Sequence, residues 1–397
     1  MSQYNIFIFL FIFWNSCNAQ GPLKILFVLN NFPVPSQTFI LNKITSLIDR
    51  GHDVRIFSFH KYSTKYTPDD FKKYRLFNRI SYKKNLAGMI AQADVILCEF
   101  GQMGKKLFDM PKIQRILKNK IVITCIRGAD ITTRIIKHPH QYIRLFNRGD
   151  LFLPVCTYFK KLLQRCGCKH TKITVHYSAI NCDRFRFKER ILPKTGALSI
   201  ISVCRLVEKK GLQFAIEGVA QIIRRHPNSK YYIVGEGEQR ALLTQLIEKL
   251  GMKNNIILCG WKTQDEVIEL LERAHIFLLP SITGSNGNEE GIPNALKEAM
   301  AMGLITIGSW HAGTPELIEH SVSGYLVPQK NSQAIADTIL HILAHPEVWH
   351  RMQSRARETV RNRFHLSVVM HELEDILYQT IKNKKGAPNR LPLKNML

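Results

Sequence analysis

Closely spaced cysteines are scarce in this chain of 397 residues. Nine cysteines are present, but only Cys166 and Cys168 lie near each other, and no pair of C-x-x-C motifs occurs. Because structural zinc sites need clustered ligands, we expect no zinc site, and scattered single cysteines are typical of a reducing compartment.

Apolar runs long enough to cross a bilayer as a helix are also missing. The run at residues 6–14 is too short to span a bilayer, no basic segment precedes it, and Ala19 offers a small-residue cleavage position. Two interpretations of residues 1–22 stay open, an interfacial anchor and a translation start placed too early. A secretory signal fits the segment less well than either.

Acidic residues are in short supply, with 31 Asp and Glu against 56 Lys and Arg, which leaves a net charge of +25. Residues 1–190 hold 32 basic and 11 acidic residues, a balance of +21, whereas residues 191–397 hold 24 and 20, a balance of +4. The basic residues concentrate at 61–84 and 160–172, with a smaller run at 382–394. Such clusters bind nucleic acid or anionic lipid, each basic residue near a lipid surface contributing about 1 kcal/mol. No nucleic-acid-binding motif accompanies them, so we expect an anionic membrane surface as partner and no nucleic acid.

Residues 276–317 form the most informative stretch of the chain. They contain an apolar run, a polar Gly/Asn loop, a helix-like segment, a second apolar run and a second Gly-containing turn. This order of strand, loop, helix, strand and loop predicts half of a doubly wound sheet. Ligands of such sheets bind beyond the carboxyl ends of the strands, so we expect the chemistry in the loop 281–291.

That loop leads into a helix that we expect to begin near Pro293, since proline is favoured at the first helical position. The amides of Ile292, Asn294 and Ala295 would then present the positive end of the helix dipole to a phosphate. Glu290 closes the loop and Glu298 lies inside the helix. The alternative is that Glu290 only stabilises a helix terminus and that Glu298 is solvated, although the apolar neighbours of Glu298 argue against solvation.

Two glutamates and four neighbouring residues resemble the E-x7-E signature of the retaining glycosyltransferases of the GT-B fold, group 4: Glu290, Gly291, Pro293, Glu298, Ala299 and Met300. The resemblance implies that Glu290 lies beside the donor sugar and that Glu298 holds the ribose hydroxyls of the nucleotide.

A strand at 24–30, a helix from Thr38 and a strand at 54–58 form a βαβ unit near the start of the chain. Phe32, Pro33, Ser36 and Thr38 resemble the opening of the branch that builds bacterial exopolysaccharides such as colanic acid.

Further strands are predicted at 95–98, 121–124 and 151–155. The loops after the first two hold Glu99 and Arg127 where the family usually has histidine, while Gly128 and Asp130 match it. The resemblance therefore implies an altered contact from Arg127 to the donor sugar. The alternative for Arg127 is a surface cation.

A strand at 198–203 opens the second half of the chain and runs into a basic loop that ends at Gly211. This loop matches the R-L-x-x-x-K-G phosphate-binding pattern of the family, which assigns Arg205 and Lys210 to the diphosphate. A solvated run of charges is the alternative.

Gly235 follows the next strand in an incomplete G-x-G motif whose third glycine position holds Arg240, so a nicotinamide dehydrogenase is not indicated. We place Gly235 among the donor-binding residues. Trp261 and Lys262 follow the strand from Ile256, where the family contacts the nucleotide base, although packing of Trp261 is an equal alternative.

The predicted fold is α/β, a GT-B arrangement of two Rossmann-like doubly wound domains facing a cleft. We expect an acceptor-side domain at 23–190, a polar linker at 185–197 and a nucleotide-sugar domain at 197–365. A C-terminal helix and basic tail at 366–397 would return to the first domain. Helices are predicted at 332–343, 346–363 and 367–381.

The resemblance implies a retaining, metal-independent hexosyltransferase with a UDP- or GDP-sugar as donor substrate and no cofactor. Arg205, Lys210 and helix amides would meet the phosphate charge, and no Asp-x-Asp cluster for a metal occurs in these loops. The acceptor would be a lipid-linked saccharide or polysaccharide of exopolysaccharide or lipopolysaccharide assembly, at the cytoplasmic face of the membrane. The alternatives are a nucleotide-sugar epimerase of the same fold and a non-catalytic polyanion-binding protein.

Overall fold

The computed structural model describes residues 21–34, 37–61, 69–134, 138, 140–193 and 197–386. Several predicted features lie wholly or partly outside the described residues. They are residues 1–20 of the apolar segment, Ser36, residues 62–68 of the first basic cluster, residues 194–196 of the linker and residues 387–397 of the tail.

Two six-stranded parallel sheets form the framework. The first contains β1 (Lys24–Phe32), β2 (Asp53–Lys61), β3 (Ile80–Tyr82), β4 (Val95–Glu99), β5 (Ile121–Ile126) and β6 (Leu151–Pro154). The second contains β7 (Ser199–Val203), β8 (Lys230–Val234), β9 (Ile256–Gly260), β10 (Ile276–Leu278), β11 (Ile305–Ser309) and β12 (Tyr325–Val327).

The helices between these strands follow in chain order. The earlier ones are α1 (Thr38–Asp49), α2 (Asp70–Lys73), α3 (Leu86–Gln92), α4 (Gly101–Asp109), α5 (Gln114–Leu117), α6 (Ile143–Arg148) and α7 (Thr157–Arg165). The later ones are α8 (Leu212–Arg225), α9 (Arg240–Lys249), α10 (Gln264–Arg273), α11 (Asn294–Ala301), α12 (Thr314–Leu317), α13 (Ser332–Ala344), α14 (Trp349–Phe364) and α15 (Leu366–Gly386).

Strand order confirms the predicted fold class. The first sheet has the order β3-β2-β1-β4-β5-β6, and the second has the same order in its own strands, β9-β8-β7-β10-β11-β12. This is the Rossmann order, in which the direction of winding reverses beside the first strand. The central strands are apolar and buried because helices cover both faces of a parallel sheet.

The chain divides into two compact units. One contains Met1–Thr124, Arg148–Leu151 and Met370–Leu397, and the other contains Cys125–Asn147 and Phe152–Val369. Within the first unit, Glu374 of α15 accepts hydrogen bonds from His52 and Arg50, at 3.0 Å each. The domain boundaries proposed from the sequence remain a prediction.

Arg190, within the predicted linker, is buried in the second unit. Its guanidinium donates to the carbonyls of Ala274 at 2.8 Å, Lys188 at 2.6 Å and Leu271 at 3.1 Å. Its backbone exchanges two hydrogen bonds with the Gln353 side chain. A buried guanidinium needs such partners, and the sequence alone does not show them.

Helix boundaries differ slightly from the prediction. The helix predicted at 346–363 is a 3₁₀ turn (Pro346–Val348) followed by α14, and the last helix continues to Gly386. Helix α10 begins at Gln264 because Thr263 and Glu266 form a capping box there. Among the described residues, no helix has the length and apolar composition that crossing a bilayer requires.

Candidate active site

The loops after β7 and β10 meet at the carboxyl ends of these two adjacent strands. Gly211 ends the basic loop with φ of 65°, and a Cβ at this position would lie 2.1 Å from the carbonyl oxygen of Pro280. Only glycine allows this approach and this left-handed backbone, so the basic loop packs directly against the start of the loop 281–291.

Glu290 and Lys210 form an ion pair at this junction. The Lys210 Nζ lies 2.5 Å from Oε1 and 2.6 Å from Oε2 of Glu290, and the Ser281 hydroxyl donates to Oε2 at 3.1 Å. Burial opposes ionisation of the carboxyl, but Lys210 and Lys209 outweigh it and lower the pKa of Glu290 to about 2. Glu290 is therefore an ionised carboxylate at neutral pH.

His311 holds the backbone of the same glutamate. It follows β11 and is buried, and its Nε2 accepts the Glu290 amide N–H at 3.1 Å. Burial lowers the pKa of His311 to about 4, so its ring is neutral and its proton belongs on Nδ1. The sequence analysis missed His311. The available signal was a polar residue two positions after a strand that ends at the same sheet edge.

Glu289 and Lys209, the direct neighbours of Glu290 and Lys210, also face this region. The hydroxyls of Tyr158 and Thr283 donate to Glu289 Oε1 at 2.9 and 3.1 Å. Lys209 is buried, with its Nζ 3.4 Å from the Asn288 side-chain oxygen and 3.4 Å from the Glu289 carbonyl. Neither residue was assigned from the sequence. Glu289 is the first residue of a Glu-Glu pair there, and Lys209 is the first residue of a Lys-Lys pair.

Arg205 lies apart from these contacts. Its side chain is exposed, and no hydrogen bond or ion pair is recorded for it within the described part of the chain. Its role at the diphosphate stays a prediction.

Arg127 is half-buried and belongs to a hydrogen-bonded loop, which does not fit the surface-cation alternative. Asp130 accepts the amide N–H groups of Arg127, at 3.1 Å, and Gly128, at 2.7 Å, and so fixes the loop. The guanidinium donates to the Ser178 hydroxyl at 2.7 Å. Lys297 reaches the Ser178 carbonyl at 2.6 Å, which links this loop to α11.

Helix α11 begins at Asn294, after Pro293 as the capping residue, close to the predicted start. Across the described residues, no acceptor is recorded for the amides of Ile292, Asn294 and Ala295, so they remain available to an anion. Glu298 is half-buried, and burial raises its pKa to about 7. Burial and the nearby Arg127 lower the pKa of the buried Lys297 to about 7.

The remaining predicted donor contacts follow β8 and β9. Gly235 has φ of 136°, and a Cβ there would lie 1.9 Å from the Cys204 carbonyl oxygen, so close approach explains this glycine. Trp261 is 55% exposed, so it is not a core residue. Lys262 is paired with Glu266 at 2.9 Å.

Within the part of the chain that the structure describes, no group of three or more His, Cys, Asp or Glu side chains is arranged to hold a metal ion. The loops after β7 and β10 contribute three cations and three carboxylates at this edge of the sheet: Arg205, Lys209, Lys210, Glu208, Glu289 and Glu290.

Comparison with known proteins identifies related sequences. Residues 183–359 match the family described as Glycosyl transferases group 1. WcaL of Salmonella typhimurium, whose name assigns it to colanic acid biosynthesis, is 34% identical over 412 residues, which cover 90% of this chain and 100% of the relative. The amylovoran biosynthesis glycosyltransferase AmsK of Erwinia amylovora is 34% identical over 406 residues, 89% of this chain and 99% of the relative.

A solved structure shares the fold. The crystal structure of HepE from Anabaena in complex with UDP superimposes with a TM-score of 0.75 at 16% identity, covering 90% of this chain and 100% of HepE.

Proposed function

Because this chain belongs to the group 1 glycosyl transferases, we propose that it transfers a hexose from a UDP- or GDP-sugar to a lipid-linked saccharide or polysaccharide. The names of WcaL and AmsK support an acceptor from bacterial exopolysaccharide assembly, and lipopolysaccharide assembly requires the same class of reaction. The complex of HepE with UDP supports a nucleotide-sugar donor.

The ion pair between Lys210 and Glu290 is the observation that carries the proposal. It places a fixed carboxylate among the cations of the basic loop, next to the free amides of α11. Cations and helix amides can stabilise the charge that develops on a departing diphosphate. We assign this charge stabilisation to Arg205, Lys210 and the α11 amides, and the reaction then needs no metal ion.

Retention of configuration is part of the proposal, and it rests on the spacing of Glu290 and Glu298. A carboxylate whose pKa is about 2 and whose oxygens are both bonded to Lys210 is a weak nucleophile and a weak base. We therefore assign Glu290 to binding the donor sugar and propose no covalent intermediate on it. Glu298 would accept the ribose hydroxyls, and Trp261 and Lys262 would contact the base.

We also propose that the first unit binds the membrane at its cytoplasmic surface. Four lysines of its basic cluster are exposed: Lys72, Lys73, Lys83 and Lys84. Phe77 stands among them with 58% exposure, and a basic surface with an exposed aromatic ring suits an anionic lipid interface.

Mass spectrometry and NMR of reactions with a panel of UDP- and GDP-sugars and bacterial lipid extract test the function, since NMR distinguishes anomers and epimers of equal mass. The expected result is a lipid product heavier by one hexose, formed with one donor and with the anomeric configuration of that donor. Conversion of the donor sugar without acceptor would support an epimerase. If polyanions bind equally well with and without nucleotide sugars and no sugar is transferred, the non-catalytic alternative is supported.

A further inference from the structure

Lys209 is a buried cation with incomplete hydrogen bonding. The residue is 8% exposed, yet its ammonium group, which has three N–H donors, has recorded contacts only to the Asn288 side-chain oxygen and the Glu289 carbonyl. Both distances are 3.4 Å, beyond the usual range for an N–H···O bond, and neither acceptor is charged. Among the described residues Lys209 has no ion pair.

The neighbouring charges do not supply the missing partner. Glu290, Lys210, Arg205 and Asp130 are the charged groups with the largest electrostatic influence on Lys209. Both carboxylate oxygens of Glu290 are already bonded to Lys210. Burial is the main cause that lowers the pKa of Lys209, which shows that the protein by itself does not fully stabilise its charge.

A buried ammonium of this kind is stabilised when an anion provides the absent bonds. Lys209 lies in the 3₁₀ turn Glu208–Lys210, immediately before Gly211 and the N-terminus of α8. A neutral sugar hydroxyl would leave the charge uncompensated, whereas a phosphate oxygen would neutralise it and accept a charge-assisted bond.

We propose that Lys209 is a further phosphate-binding residue, which donates directly to the diphosphate of the donor beside Lys210. This inference rests on the proposed function, because the donor is taken to be a nucleotide sugar. Both lysines of the Lys-Lys pair would then contact the diphosphate, and Lys210 would in addition hold Glu290.

Calorimetry on the full chain tests the assignment with Lys209→Met, Lys209→Arg and the control Lys253→Met. Lys253 is exposed and pairs with Glu248 at 2.9 Å, away from the loop. The probes are UDP, GDP, uridine, guanosine and inorganic pyrophosphate. Loss of one charged hydrogen bond predicts that Lys209→Met weakens pyrophosphate and the preferred diphosphate about 10- to 100-fold, with nucleoside binding unchanged. Lys209→Arg retains most of the affinity, and Lys253→Met binds like the wild type.

Thermal unfolding without ligand separates a binding lysine from a structural one. Since Lys209→Met removes a poorly bonded buried charge, its melting temperature should equal or exceed that of the wild type. Unchanged affinity for the nucleoside diphosphate and for pyrophosphate overturns the assignment. A wild type that binds neither UDP nor GDP contradicts the proposed function instead, and pyrophosphate then still decides the role of Lys209.

Discussion

Lys210 Nζ bonds both carboxylate oxygens of Glu290, at 2.5 and 2.6 Å. The sequence assigned these two residues separate tasks, at the diphosphate and at the donor sugar. In the structure each neutralises the other, so a change at one alters the charge state of its partner. The pair therefore couples the basic loop after β7 to the loop before α11.

Lys210→Met is expected to destabilise the protein by about 3 kcal/mol, because it leaves a largely buried carboxylate without its main partner. Equilibrium urea unfolding measures the effect. In Lys210→Met/Glu290→Gln the uncompensated charge is gone, so stability should recover while transfer activity stays low. Simple addition of the two single-variant effects would contradict the coupling.

Arg205→Ala is expected to reduce turnover about 100-fold without a change in stability, because the guanidinium is exposed and acts only on the departing diphosphate. Arg225→Ala, at the exposed end of α8, is the control and should keep full activity. Magnesium should not rescue Arg205→Ala. Wild-type activity that EDTA abolishes and added metal restores would overturn the metal-independent mechanism.

Local patterns in the sequence were sufficient to predict the fold and some residues of the candidate site. The apolar runs and the glycines after them predict parallel strands and their carboxyl-end loops, and Gly211 and Gly235 stand where backbones approach closely. The partner of Glu290, the contact from His311 and the burial of Arg190 could not be predicted in this way. Each depends on packing between segments that are distant in the sequence.

The raised pKa of Glu298 predicts that nucleotide binding depends on pH. Its pKa is raised to about 7, and only the ionised carboxylate accepts two ribose hydroxyls well, so affinity should rise as pH increases through about 7. Glu298→Gln should flatten this dependence, and Glu298→Ala should weaken binding by about 1.5–3 kcal/mol. Calorimetric titration with UDP and GDP across this pH range measures both effects.

The same raised pKa has an opposite consequence for folding. The protonated form is favoured in the folded state, so the contribution of Glu298 to stability is lost as pH rises through about 7. Glu298→Gln should therefore gain stability relative to the wild type above this pH. Glu269→Gln, exposed on α10, is the control. If Glu298→Gln leaves both pH profiles unchanged, Glu298 is only a packed helix residue.

Binding to anionic vesicles tests the role of the basic excess in residues 1–190. The nucleotide-binding residues are assigned to the second half of the chain, which is nearly neutral, so this excess is not needed to hold the donor. Changing Lys72, Lys73, Lys83 and Lys84 to Glu should lower vesicle binding by about three orders of magnitude, since each basic residue near a lipid surface contributes about 1 kcal/mol. Cosedimentation with vesicles rich in anionic lipid measures this.

Salt and a matched variant distinguish this surface from other anchors. Exposed charges are screened over about 8 Å at physiological ionic strength, so wild-type vesicle binding should fall steeply with salt while nucleotide affinity changes less. The control reverses four exposed basic residues of the second unit instead: Arg224, Arg225, Lys249 and Lys253. This control variant should stay bound to vesicles, and both variants should still bind the donor nucleotide. If the first variant also remains bound, residues 1–22 or another surface must hold the protein at the membrane, and the exposed lysines around Phe77 do not.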